Sequence, residues 1–263
     1  MPEQPNRRQL EFRVLGPVEV YRASRPCTPS APKQRAVLAL LILHANEFVP
    51  VNRLVDDLWE HRSPARAVAA VQVYIAALRK ALLPRAGAGS AGPAQLIETC
   101  SNGYLLRVPP EQIDLHRYRR LAAEGDRALA AGQPERASSL LDEALVLWRG
   151  PALADLTDIG LLGRYAESLD CTRLSVIERR IEADLRLGRH AAVADELESL
   201  CRRHPLRESI HLQLMVAHWR CGRRAEALAA YQRVRRTLID KLGLEPGEQL
   251  RATQQAVLRG VEP

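Results

Sequence analysis

The sequence predicts a mostly α protein in two parts: an N-terminal winged helix-turn-helix of α+β type, followed by an all-α domain of tetratricopeptide-like helical repeats. Three observations carry this expectation. The first 110 residues read, in order, as strands, helix, helix, long helix and hairpin. Paired amphipathic segments then recur about glycine hinges at Gly132, Gly188 and Gly222, the last two 34 residues apart, which is the period of such repeats. The charge is uneven as well. Residues 1–110 hold 14 Lys+Arg against 8 Asp+Glu, and the remainder 24 against 23, so +6 of the total +7 lies in the first part.

With 263 residues the chain exceeds a usual single core. Residues 1–11 are expected to be disordered, 12–110 to form the winged helix and 111–263 the helical repeats. A hydrophobic share of 46% and a charged share of 26% are those of a soluble globular protein. No apolar run approaches the ~20 residues of a membrane span, and the polar start MPEQPNRRQLEF has no signal-peptide core. The five cysteines are scattered and lack CxxC spacing, which fits a reducing compartment better than a disulfide framework or a zinc site. The expected location is therefore the cytoplasm, with no membrane partner.

Phe12 to Arg22 alternates as a strand pair about Gly16-Pro17. KQRAVLALLILHAN has a dense apolar run from Val37 to Leu43 and must be a buried helix, ended near Asn46. FVPV is a short extended link. RLVDDLWE follows as a second helix with Leu54, Val55, Leu58 and Trp59 on its apolar face, and Asp56-Asp57 as a solvated pair. Ser63 to Leu83 is the long helix, with Ser63 as N-cap and Pro64 in the first turn. Ala86 to Pro93 has a flexible-loop composition, and Ser101-Asn102-Gly103 is the turn of a hairpin.

The long helix organises this half. Val68, Val71, Ile75, Leu78 and Leu82 recur at three- and four-residue steps and form an apolar stripe. The opposite face carries Arg66, Ala69, Val73, Ala76, Ala77 and Lys80, flanked by Gln72 and Arg79. Such a face suits plain solvation, but it also suits entry into a major groove ~12 Å wide, with the hairpin reaching backbone or minor groove. Gln72 would then read a base edge, and Val73 and Ala76 would touch thymine methyls. Arg66, Arg79 and Lys80 flank the reading face, and Lys33, Gln34 and Arg35 open a helix where phosphate is favoured. Thr99, Ser101, Asn102 and Tyr104 are the hairpin's candidates.

Pro109-Pro110 marks the boundary, and everything after Asp114 reads as helical. Between the hinges at 132 and 188 the step is 56 residues, so about 22 residues around RGPALADLTDIGLLG are inserted between repeats. Three hairpins are about the minimum for a stable stack, and DKLGLEPGEQLRATQQAVL supplies a closing helix. Catalytic motifs are missing from this sequence: no HExxH, no GxxxxGK[ST], no GxSxG. His211 and His218 lie without ligands at metal spacing, and the tryptophans fall on apolar faces. No catalytic residue, cofactor or metal is assigned.

VQVYIAALRKAL followed by IETCSNGYLLRV resembles the winged helix of OmpR/PhoB-type response regulators. Residues 1–110 are closer still to the DNA-binding domain of the Streptomyces antibiotic regulatory protein (SARP) family. ALVLWRGPALAD, EADLRLGRH, HPLRESIHLQLMVAHWRCGRRAEALAAY and LGLEPGEQL resemble the bacterial transcriptional activator domain that follows it there. Many such winged helices carry Arg where this chain has Ala77, and one in the wing where it has Ser101 or Asn102.

The resemblance implies a transcriptional activator of an antibiotic or other secondary-metabolite gene cluster, and not an enzyme. It further implies direct-repeat operators near a promoter −35 element, bound by two copies in tandem on double-stranded DNA. RNA polymerase would be recruited through a sigma factor and the C-terminal domain of the polymerase α chain. The competing expectation is a tetratricopeptide-type adaptor that binds no specific DNA.

Overall fold

The computed structural model describes residues 10–60, 62–82 and 96–261. Residues 1–9 and the loop at 86–93 lie outside that set. Leu10 and Glu11, expected to be disordered, instead open the first strand. Strands β1 (Leu10–Arg13), β2 (Glu19–Arg22) and β3 (Arg25–Pro26) form an antiparallel sheet in that order. Helix α1 (Pro32–Leu43) starts on a proline, whose fixed φ suits a first turn. Ala36 through Ile42 are all buried, so α1 is apolar all round and forms the centre of this part.

The extended link at Phe48–Pro50 is a strand, β4, which pairs with the hairpin strand β6 (Gly103–Leu106); β5 (Ile97–Cys100) pairs with the other side of β6. Helix α2 (Val51–Trp59) buries Leu54, Val55 and Leu58. Asp57 is also buried, at 5% exposed, which corrects the expectation of a solvated pair. Its carboxylate accepts the Tyr165 hydroxyl at 3.2 Å, and burial raises its pKa. Helix α3 is Ala67–Leu82, about 24 Å long. Ser63 and Pro64 precede it as coil, so the N-cap expected at Ser63 is not formed.

A 3-10 turn, Pro110–Gln112, leads into α4 (Asp114–Ala130), which is followed by α5 (Pro134–Val146), α6 (Leu162–Arg186), α7 (His190–Arg203), α8 (Glu208–Arg220), α9 (Arg224–Leu242) and α10 (Glu248–Arg259). The helices pair as three hairpins and a closing helix. Gly132, Gly188 and Gly222 turn these hairpins with φ of +68°, +77° and +75°, the left-handed conformation in which glycine ends a helix without strain.

The chain forms two compact units: residues 1–122 with 143–173, and residues 123–142 with 174–263. The first unit takes in more than the winged helix. Residues 147–161 form turns rather than helix, and they return to the N-terminal sheet. Arg149 and Leu153 donate backbone N–H groups to the Leu15 and Val14 carbonyls at 2.8 and 3.1 Å. Buried Asp114 accepts the N–H groups of Val14 and Leu15 at 2.9 and 3.0 Å. Gly160, at φ +50°, lies so close to α2 that a Cβ would sit 2.1 Å from the Asp57 carbonyl oxygen; this approach lets the Leu161 N–H reach that oxygen at 2.8 Å. Trp148, in these turns and not on a helix face, packs edge-on to Tyr118 with ring centroids 5.4 Å apart.

In the second unit Leu197, Ile210, Leu214, Met215, Val234 and Leu250 belong to one apolar cluster shared by α7 to α10. Asp184, buried on α6, accepts Ser138 Oγ at 2.9 Å and ion-pairs with Arg180 and Arg189. One carboxylate thereby ties α5 to α6 and satisfies its own buried charge.

Candidate nucleic-acid interface

Helix α3 divides cleanly by side. Ala67, Val71, Ile75, Leu78 and Leu82 are buried. Successive ~100° turns bring Ala69, Gln72, Val73, Ala76 and Lys80 to the opposite side, and all five are exposed. Val68, expected in the buried stripe, is instead 42% exposed, and Val73 is 64% exposed. Val68 sits at the rim because the helix starts at Ala67, and the buried row needs only one residue per turn there. Arg66 is exposed just ahead of the helix.

Several sequence candidates have other work. The Arg79 guanidinium donates to the Ile97 carbonyl at 2.8 Å and to Thr99 Oγ1 at 2.7 Å. It therefore fastens α3 to the hairpin and is not free on the exposed face of the helix. Lys33 Nζ donates to the Leu58 carbonyl at 3.1 Å and lies 5.2 Å from the centre of the Trp59 ring. Burial pulls its ammonium below the usual lysine value. Arg35 is held by Asp155 at 2.8 Å and by the Pro29 and Ser30 carbonyls. Gln34, between them, is half-buried. The first turn of α1 is thus a structural junction whose two cations are already held by protein acceptors.

Tyr104 is 7% exposed on β6, the central strand between β4 and β5, so its side chain is packed away from the surface. Thr99, Ser101 and Asn102 are exposed. Ser101 takes φ +23° at the turn, and the Asn102 carbonyl accepts the Val51 N–H at 2.9 Å. That bond seats the tip of the wing on the start of α2. The structure therefore brings together Gln72, Val73, Ala76 and Lys80 on one helix face, with Arg66 exposed just ahead of it. Thr99, Ser101 and Asn102 lie on the hairpin that Arg79 ties to that helix.

Sequence reasoning placed Ala69 on the exposed face but missed the exposed Val68 and Arg62. A signal for the whole surface was present: from His61 to Ile97 there is no Asp or Glu, while Arg62, Arg66, Arg79, Lys80 and Arg85 are cationic. A polyanion meets no like charge along this stretch. Among the described residues no group of three His, Cys, Asp or Glu is placed to hold a metal ion, and no helix is long and apolar enough to cross a membrane.

A three-helix core with a β wing, joined to stacked helical hairpins, defines a winged-helix transcriptional regulator with an appended helical domain, and comparison with known proteins agrees. The family model described as "Transcriptional regulatory protein, C terminal" matches residues 27–106, and "Bacterial transcriptional activator domain" matches residues 113–258. The chain is 41% identical to the regulatory protein DnrI of Streptomyces peucetius, over 95% of this chain and 92% of that one. It is 39% identical to the regulatory protein AfsR of Streptomyces coelicolor, over 95% of this chain and 24% of that one.

A solved structure, Mycobacterium tuberculosis EmbR in complex with a low-affinity phosphopeptide, matches with a TM-score of 0.89 at 38% identity, over 96% of this chain and 66% of that one. The chain belongs to the SARP family of transcriptional regulators. Its matched domains and relatives are transcriptional regulators, not enzymes.

Proposed function

We propose that the protein is a sequence-specific DNA-binding transcriptional activator of a secondary-metabolite gene cluster, acting in the cytoplasm at the nucleoid. The observation that carries this reading is the exposed face of α3. Gln72 stands among small and apolar side chains, with cations near both ends and no carboxylate from residue 61 to 97. In a major groove this face allows close approach of the helix, a base-edge contact from Gln72, and phosphate contacts from Arg66 and Lys80. Thr99, Ser101 and Asn102 of the wing reach the flanking backbone.

Two copies bind in tandem on direct repeats beside a promoter −35 element. DNA occupancy alone does not activate. The part from residue 111 onward is nearly neutral, with 24 basic against 23 acidic residues, which suits protein contact better than a second phosphate grip. That part contacts RNA polymerase through a sigma factor and the C-terminal domain of the polymerase α chain.

The test has two stages. Genomic fragments retained by the full chain are sequenced, and the enriched promoter is then transcribed with purified polymerase. Enrichment of direct repeats and stimulated transcription are the expected outcome. Failure to enrich any duplex leaves only a protein-binding adaptor, and binding without stimulation removes the activator role.

A further inference from the structure

Between Arg66 and Lys80 the exposed side of α3, from Val68 at its rim to Val73 opposite the buried row, has an unusual chemistry for a base reader. Its exposed side chains are Val68, Ala69, Gln72, Val73 and Ala76. Two of them are β-branched, and Val73 stands near the centre of the side opposite the buried row. A β-branched residue lowers helix propensity and does nothing for solubility at such a position. The neighbouring charges identify what covers it. Arg66 and Lys80 bracket the face and no acid interrupts it, so the complementary surface is anionic at its edges and carries apolar groups between them. Duplex DNA in its major groove is such a surface: phosphates line both rims, and the one apolar group on the base edges is the thymine 5-methyl.

Elimination narrows the readable bases. Guanine is read by the paired donors of Arg or Lys, and cytosine by a carboxylate. The middle of this face has neither. Arg79 is committed to Ile97 and Thr99, Arg66 lies ahead of the helix, and Lys80 lies two turns beyond Val73. Gln72 offers the amide pair that matches adenine N6 and N7.

We infer that α3 recognises its operator chiefly through thymine 5-methyl groups, packed against Val68, Ala69 and Val73, with Gln72 on an adjacent adenine. The inference rests on the DNA-binding reading above and adds two residues, Val68 and Ala69, to the specificity determinants. It also makes recognition dependent on a group that plays no part in base pairing. The base pairs under the helix are then A·T pairs, and the methyl group, not the pair's hydrogen-bonding edge alone, carries the discrimination.

Replacing thymine by deoxyuridine removes that methyl and leaves the pairing intact. The full chain is first used to select duplexes from a randomised pool. Each thymine of the selected duplex is then replaced singly by deoxyuridine, and binding is titrated by fluorescence anisotropy. The expected loss is about fourfold at each thymine under α3, equivalent to the ~0.8 kcal/mol of one buried methylene-sized group, with no loss at thymines outside it. Val73→Ala and Val68→Ala alter only exposed side chains, so both variants keep the fold, which circular dichroism checks. In Val73→Ala the deoxyuridine substitution facing residue 73 should cost less than it costs the wild type, because the two valine methyls that packed the thymine methyl are gone.

Wild-type binding that stays within about twofold at every deoxyuridine overturns the inference while leaving DNA binding intact. So does a selected duplex without A·T pairs under the helix. A pool from which nothing is enriched overturns the DNA-binding reading itself.

Discussion

The Asp155 carboxylate accepts Arg35 Nε at 2.8 Å, and its other oxygen accepts the Val18 backbone N–H at 2.8 Å. One side chain from the turns at 147–161 thereby holds both the start of α1 and the N-terminal sheet. Arg35 and Asp155 are 18% and 26% exposed, so the pair is screened less than a surface bridge and more than a buried one. Asp155→Ala leaves a charge and an N–H unpaired and is expected to cost about 2 kcal/mol in urea unfolding. Asp155→Asn, which keeps one acceptor, should cost less.

A chain cut at residue 112 should fail to fold cooperatively. It loses Asp114, which caps the Val14 and Leu15 N–H groups, and the 147–161 turns that bind the Leu15 and Val14 carbonyls. A chain ending at residue 173 keeps all of these and should show a single sharp thermal transition. Circular dichroism melts of the two fragments check this. Equal transitions would show that the winged helix folds without the returning segment.

These two expectations mark what the sequence could and could not convey. Helix faces, the 101–103 hairpin and the glycine hinges were legible, because each is written in local spacing or in a residue's own backbone preference. The destination of residues 147–161 was not, since turns have no period and their partners lie over 100 residues away. Arg79, Lys33 and Arg35 looked alike as exposed cations, and only folding assigned them to Ile97, Leu58 and Asp155. Asp57 exchanged its expected side for the same reason, its carboxylate meeting Tyr165 from 108 residues away. Neighbours from distant sequence, not helical periodicity, set the burial of a residue at the rim of a helix face.

Acidification should weaken the helical unit through two histidines. His211 and His218 are 6% and 3% exposed, and burial pushes both imidazoles below the ordinary value of 6.5. A folded-state value below the unfolded one means the fold holds the neutral ring. Its contribution is complete above 6.5 and is lost as pH falls through the folded value. Urea midpoints should therefore fall between about pH 7 and about pH 5. His211→Gln should flatten part of that slope; an unchanged slope in His211→Gln and His218→Gln together would assign it to other groups.

Lys80 and Gln72 should fail differently. Lys80→Ala is expected to weaken binding to every duplex alike and to reduce the salt slope by about 1. Gln72→Ala should lose discrimination at one base position, by about 1–3 kcal/mol. Competition titrations with single-position duplex variants separate the two effects.

The most direct measurement of α3 as a DNA reader is the affinity of the full chain for its selected duplex and for a shuffled duplex, across ionic strength. A helix flanked by Arg66 and Lys80, beside the wing, predicts that log K falls linearly with log salt, with a slope of several units. It also predicts a selected duplex bound at least ~1000-fold more tightly than the shuffled one at physiological salt. Equal affinity for both duplexes, or binding indifferent to salt, would contradict it.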